Sequence, residues 1–163
     1  MSVRFNMLAL VVCAVLSNSV RSEDWPSWRG PNRDDISSET GLLKQWPDGG
    51  PEKLWTSHDA GLGYSGFATS NGVLFTMGAD GSTAESNEFV IALKADTGEK
   101  VWQTNIGNYL DNGWGGGPRS TPTISGDLLV AISGKGNVVC LSLKDGAEKW
   151  RTSLTELGGS VPN

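Results

Sequence analysis

The chain has little of what most often carries chemistry. One of its 163 residues is histidine and two are cysteine, so the sequence offers neither a multi-histidine metal site nor an assembled Ser-His-Asp triad. Positive charge is scarce as well. Thirteen Lys and Arg against eighteen Asp and Glu leave a net charge of −5 and a pI near 4.8, the wrong sign for an electrostatic grip on nucleic acid or an anionic membrane. The longest apolar run, Met7 to Leu16, has ten residues, half of the roughly 20 that a spanning helix needs. What the chain has in abundance is glycine (22) and tryptophan (7), with 37% hydrophobic residues, enough for a packed core. Glycine shows no three-residue period, which excludes collagen.

Arg4, the Met7–Leu16 run and Ser17-Asn18-Ser19-Val20-Arg21-Ser22 together have the layout of a secretory signal peptide over residues 1–22, with Val20 and Ser22 at the −3 and −1 places before Glu23. A buried N-terminal helix is the alternative. Cleavage would leave 141 residues (163 − 22), no transmembrane segment, and Cys140 as the single cysteine, hence no intrachain disulfide. Cys13 lies inside the run, which argues against a lipoprotein anchor. The expected location is exported, periplasmic or secreted.

Tryptophan recurs at Trp55, Trp102 and Trp150, spaced by 47 and then 48 residues. The repeat extends beyond the indoles. Ser65–Phe75 aligns with Ser120–Val130 at an offset of 55, and Leu93, Gly98 and Trp102 align with Leu141, Gly146 and Trp150 at an offset of 48. The difference is absorbed in one polar loop, residues 79–88, shortened in the second copy to Gly134-Lys135-Gly136. Each copy reads as four short strands closed by turns: Phe67–Ser70, Val73–Met77, Phe89–Lys94 and Val101–Asn105, then Thr121–Ser125, Leu128–Ser133, Asn137–Leu143 and Glu148–Leu154. Asn71-Gly72, Gly126-Asp127, Thr97-Gly98 and Asp145-Gly146 punctuate them. Units of this kind are stable only when stacked. The expected fold is therefore all-β, a β-propeller of four-stranded antiparallel blades, with a solenoid or sandwich as alternatives. The chain holds about two complete blades plus an N-terminal closing strand at Trp55, an incomplete ring. It divides into a signal peptide (1–22), an irregular arm (23–52) and repeats (53–163), with blades at 64–105 and 118–154 and the start of an interblade loop at 155–163.

Ala92-Leu93-Lys94-Ala95-Asp96-Thr97-Gly98-Glu99-Lys100-Val101-Trp102 resembles the tryptophan-docking motif of quinoprotein-type propellers, matching at Ala92, Thr97, Gly98 and Trp102, with Lys94 where the motif has Asp. The second copy keeps Gly146 and Trp150, with Cys140, Ser142 and Asp145 in place of Ala, Asp and Thr. Asp24-Trp25-Pro26-Ser27-Trp28-Arg29-Gly30-Pro31-Asn32-Arg33-Asp34 and Gly117-Pro118-Arg119-Ser120-Thr121-Pro122-Thr123 resemble segments of the exported PQQ-like repeat proteins of planctomycete type. These are related in architecture to the BamB-like propeller lipoprotein of the outer-membrane β-barrel assembly machinery. Asp35 stands where that family usually has Gly, a replacement tolerated at positive φ at a cost of about 1 kcal/mol. Pyrroloquinoline quinone (PQQ) enters as a cofactor through this resemblance alone, because the motif serves blade packing whether or not a quinone is bound. The end of the chain in Gly158-Gly159-Ser160-Val161-Pro162-Asn163 reads as an interblade loop, so the sequence is expected to be an N-terminal fragment.

In an up-and-down blade the loop at 79–88 and the interblade loop at 106–120 share one rim, where other proteins or a small ligand would bind. Arg119 is a candidate to hold a carboxylate or a quinone acid group and Trp114 a candidate to stack on a flat ligand. The plainer reading has Arg119 paired with Asp111 or a backbone carbonyl, and Trp114 covering a blade edge. His58 reads as a surface residue and Cys140 as an inert core thiol. Asp80, Glu85 and Glu88 lack the spacing of a calcium loop and read as a solvated acidic loop. Gly113–Pro118 lacks a dinucleotide fingerprint. With no catalytic constellation, three functions remain: a non-enzymatic scaffold or binding surface, part of a PQQ-dependent alcohol dehydrogenase, or a truncated reading frame without function.

Overall fold

The computed structural model describes residues 22–161; the signal-peptide run and Cys13 lie outside the described residues. The described residues hold two four-stranded antiparallel sheets and no helix. The first has the order β1 (Ala68–Ser70), β2 (Val73–Ala79), β3 (Asn87–Lys94), β4 (Lys100–Asn108); the second, β5 (Thr123–Ser125), β6 (Leu128–Ile132), β7 (Asn137–Ser142), β8 (Glu148–Ser153). Each is an up-and-down blade. Both four-strand units fall where the repeat places them, and the two blades do not close a ring.

Local chemistry explains the turns. Asn71 and Gly72 both have positive φ (51° and 77°), as a type I′ hairpin requires, whereas Gly126 alone does so (60°) in the Gly126-Asp127 turn. Asp35 also adopts positive φ (62°), and its carboxylate pairs with Arg29 Nε at 2.6 Å.

Alternation along β3 sends Phe89, Ile91 and Leu93 to one face and Val90 and Ala92 to the other, and all five are buried. The main core lies between the blades. Phe75, Met77, Val90, Ala92, Trp102 and Ile106 meet Leu129, Ala131, Val139 and Leu141 of the second blade. A row across the first sheet, Phe75–Ala92–Trp102, is built by direct cross-strand pairing. Because Ala92 is small, the two rings approach above it to 5.7 Å between centroids. A register shift between Ala92 and Leu93 skips Val101 and lets Trp102 share the face of Ala92; the same shift recurs between Cys140 and Leu141.

Three features depart from the sequence expectations. β4 runs on to Asn108, so Ile106 is a buried core residue and the interblade loop begins at Tyr109. The closing segment around Trp55 carries no strand pairing among the described residues, although its indole is docked on the first blade. The irregular arm is pinned through residues 24–26: Asp24 accepts from Ser70 Oγ and Asn71 N–H, both at 2.8 Å, Trp25 and Thr69 exchange backbone hydrogen bonds of 3.0 and 2.9 Å, and Ile124 N–H donates to Pro26 O at 2.7 Å. Residues 25 and 26 thereby tie the first strands of both blades together.

Candidate functional site

Two structural devices set the site in place. The first is a repeated joint. Trp55 Nε1 donates to Ala95 O at 3.0 Å and its ring covers Gly98; Trp102 Nε1 donates to Leu143 O at 3.2 Å and its ring covers Gly146. A Cβ at either glycine would lie 2.6 Å from a ring carbon, and both glycines have positive φ (72° and 69°). Only glycine meets both demands. Thr97 Oγ1 accepts from Glu99 N–H at 3.3 Å, and Asp145 Oδ1 accepts from Ala147 N–H at 3.1 Å, so the acid in the second turn does the work of the hydroxyl in the first. Lys94, at the motif's Asp position, pairs with Glu99 at 2.6 Å.

The second device is Glu88. Its fully buried carboxylate accepts Gly134 N–H at 2.6 Å and Leu110 N–H at 3.1 Å. Grouped in the sequence with the acidic loop, it belongs instead to β3 and fastens that strand to the loop that follows β4 and to the β6–β7 loop of the second blade. Asp80 is separate from it, bonded to Asn87 N–H at 2.7 Å, and Glu85 is exposed. Among the described residues no three His, Cys, Asp or Glu side chains gather where they would hold a metal. His58 is exposed and Cys140 is buried.

Leu110 and Gly134 help to wall a cavity of about 380 Å³ whose other walls include Trp114, Arg119, Asn112 and Ile132. The structure thus brings Trp114 and Arg119 to one place. The loop carrying them is shaped by its own residues. Asn112 Oδ1 accepts Trp114 N–H at 3.1 Å, and Gly117 N–H donates to Leu110 O at 2.9 Å. Gly115 and Gly116 leave room for the rings of Tyr64 and Tyr109. Arg119 donates to Asn112 Oδ1 at 3.2 Å and to Gly115 O, and its guanidinium lies 5.5 Å from the Tyr64 ring centroid. Its partners are a carbonyl and an amide, and Asp111 is not among them. Trp114 covers no blade edge: it is 88% exposed.

The sequence placed Glu88 in a solvated acidic loop, where the structure has it fully buried, and gave no sign of Tyr64. The one available signal for Glu88 was a lone acid at the head of an apolar strand, Asn87-Glu88-Phe89.

Residues 86–163 match the family model described as outer membrane protein assembly factor BamB. Among solved structures, BamB from Moraxella catarrhalis aligns at 22% identity and a TM-score of 0.35, covering 56% of this chain and 23% of that one. The chain therefore spans less than a quarter of that protein's length. No curated protein matches the sequence. From the last strands of the first blade onward, the chain is similar in sequence to the BamB family.

Proposed function

We propose that the chain is an exported propeller segment of the PQQ-like repeat type, working as a scaffold that holds a partner protein on the rim around Trp114 and Arg119. One observation carries this reading: an indole 88% exposed stands on a loop fixed from beneath by a buried carboxylate. An indole offers a large contact area with only two side-chain torsions to freeze on binding, which is why tryptophans become hot spots of interfaces. The family match over residues 86–163 supports a scaffold role, since the matching model describes an assembly factor of the outer membrane. Export rests on the signal-peptide layout of residues 1–22. The quinone suits this rim less well. Arg119 donates to Asn112 and Gly115 of its own loop, so the residues present support a fastening role for it.

A photo-crosslinking residue at position 114, compared with one at Trp46 in the arm, tests the reading in the exported protein. The scaffold predicts a discrete protein adduct from 114 that is lost on Arg119→Ala; matching adduct patterns from the two positions would refute it. Titration of the purified chain with PQQ and Ca²⁺ gives the competing outcome, since saturable binding with dye-linked alcohol oxidation would establish the dehydrogenase reading instead.

A further inference from the structure

We infer that the rim loop modifies itself: Asn112 is a deamidation site at which the Gly113 backbone nitrogen is the nucleophile, while the Arg119 guanidinium and Trp114 N–H stabilise the charge that develops on the Asn112 side-chain oxygen. The inference concerns the covalent chemistry of the loop in the chain alone, so it stands or falls apart from any partner at the rim.

The sequence holds two Asn-Gly dipeptides, Asn71-Gly72 and Asn112-Gly113. Glycine after asparagine favours ring closure, because its nitrogen approaches the side-chain carbonyl with no Cβ in the way. Neither glycine N–H has a hydrogen-bond partner among the described residues, so both nucleophiles are free. What differs is the backbone around them and the amide they face. Asn71 and Gly72 are locked in the hairpin: both have positive φ, Ser70 pairs with Val73 across the turn, Asn71 N–H donates to Asp24 at 2.8 Å, and Gly72 O accepts from Ala95 N–H at 2.9 Å. Closing a five-membered ring there would break the turn. The backbone of Asn112 and Gly113 lies outside any strand and is held by one turn bond, from Gly115 N–H to Asn112 O at 3.1 Å. Gly113 is exposed, and its φ is not positive.

The amides differ more sharply. Asn112 Oδ1 accepts two hydrogen bonds, from Trp114 N–H at 3.1 Å and from Arg119 Nη2 at 3.2 Å, whereas Asn71 Oδ1 accepts none among the described residues. Attack of Gly113 N on Asn112 Cγ forms an N–C bond and drives negative charge onto Oδ1. A guanidinium and a backbone N–H aimed at that atom lower the cost of this intermediate, as an oxyanion hole does. Arg119 is itself held in place by Gly115 O and the Tyr64 ring. Collapse expels the side-chain nitrogen as ammonia, which carries off the proton that Gly113 N gives up. Water then opens the succinimide at one of its two carbonyls, leaving aspartate or isoaspartate; nothing is oxidised or reduced. Each product sets a carboxylate beside Arg119 where a neutral amide stood. Isoaspartate also adds a methylene to the main chain before Gly113, which undoes the bond that holds Trp114 N–H.

The purified chain, held in mildly alkaline buffer, is digested at intervals and read by mass spectrometry for amide-to-acid conversion at each asparagine, with isoaspartate identified by electron-transfer fragmentation. Asn112 is expected to convert severalfold faster than Asn71 in the native chain. In urea the two should convert at similar rates, since only the shared Asn-Gly chemistry is left. Arg119→Ala should slow Asn112 severalfold while Asn71 keeps its native rate, which shows at the same time that the variant is folded. Arg119→Gln gives the same reading should the alanine variant unfold, and Gly113→Ala should slow Asn112 further. Equal native rates at the two sites would overturn the inference. So would a folded Arg119 variant in which Asn112 converts as fast as before or faster, because loop mobility, and not the two donors, would then set the rate.

Discussion

At the scale of single residues, the fold rests on a few positions where substitution is costly. Glu88 is a buried carboxylate whose hydrogen-bonding partners are two backbone N–H groups, from Leu110 and Gly134. Glu88→Gln places an amide NH₂ against one of those donors, at an expected cost of about 1–3 kcal/mol read as a lowered urea midpoint. It should also loosen the walls of the cavity, which a change in Trp114 oxidation would report. Trp114→Ala, by contrast, removes an indole with almost no packing, and its stability should change by no more than about 0.5 kcal/mol. Residues of this kind were only half legible in the sequence. Trp114 and Arg119 stood out as an aromatic and a cation in a glycine-rich loop, and the structure does bring them together. That Asn112, not Asp111, meets Arg119 depends on the turn at Asn112–Gly115, which the residue types alone do not dictate. Glu88 finds one of its partners 46 residues away, a distance at which no local pattern helps.

At the scale of elements, β-favouring composition and turn chemistry made all eight strands readable, because short runs were punctuated by Asn71-Gly72, Thr97-Gly98, Gly126-Asp127 and Asp145-Gly146. The ends were less readable. β4 continues through Ile106 to Asn108 by pairing with Glu88 and Asn87, a register set by the partner strand and invisible in β4 itself. Three carboxylates in or beside the turns before the last strand of each blade are held below their ordinary values. Glu99 is held below the usual carboxylate range by the hydrogen bond and charge of Lys94, and Glu148 by the hydrogen bond from Arg151. Asp145 is lowered by hydrogen bonds from the Ser142 hydroxyl and from Ala147 N–H. A carboxylate whose folded pKa is depressed contributes stability above its unfolded pKa and loses it as pH falls through the folded value. The urea midpoint should therefore drop as pH falls below 4.5, the ordinary value for Glu99 and Glu148. Glu148→Gln should make that fall shallower. An unchanged pH profile in that variant would show that the Glu148–Arg151 pair contributes nothing to folding.

At the scale of the whole molecule, the period of 47 to 48 residues disclosed the propeller, because no smaller unit repeats its tryptophan and its glycine turn together. The pinning of Trp25 and Pro26 across β1 and β5 was hidden, since an arm without periodicity gives no sign of where it lands. With one core shared between the blades, the purified chain is expected to unfold in a single cooperative transition seen alike by circular dichroism and fluorescence. Separate transitions would mean that the blades are independent. The central claim is that the blades are joined where a tryptophan of one covers a left-handed glycine of the next. Gly126 and Gly146 test it most directly, because both have positive φ (60° and 69°) but a Cβ would meet nothing at Gly126 and the Trp102 ring at Gly146. Gly126→Ala should cost about 1 kcal/mol of backbone strain, and Gly146→Ala about 2–4 kcal/mol as overpacking adds to that strain. Urea unfolding of the two variants side by side decides the matter: a clearly larger loss at Gly146 is the expected result, and equal losses would contradict the joint.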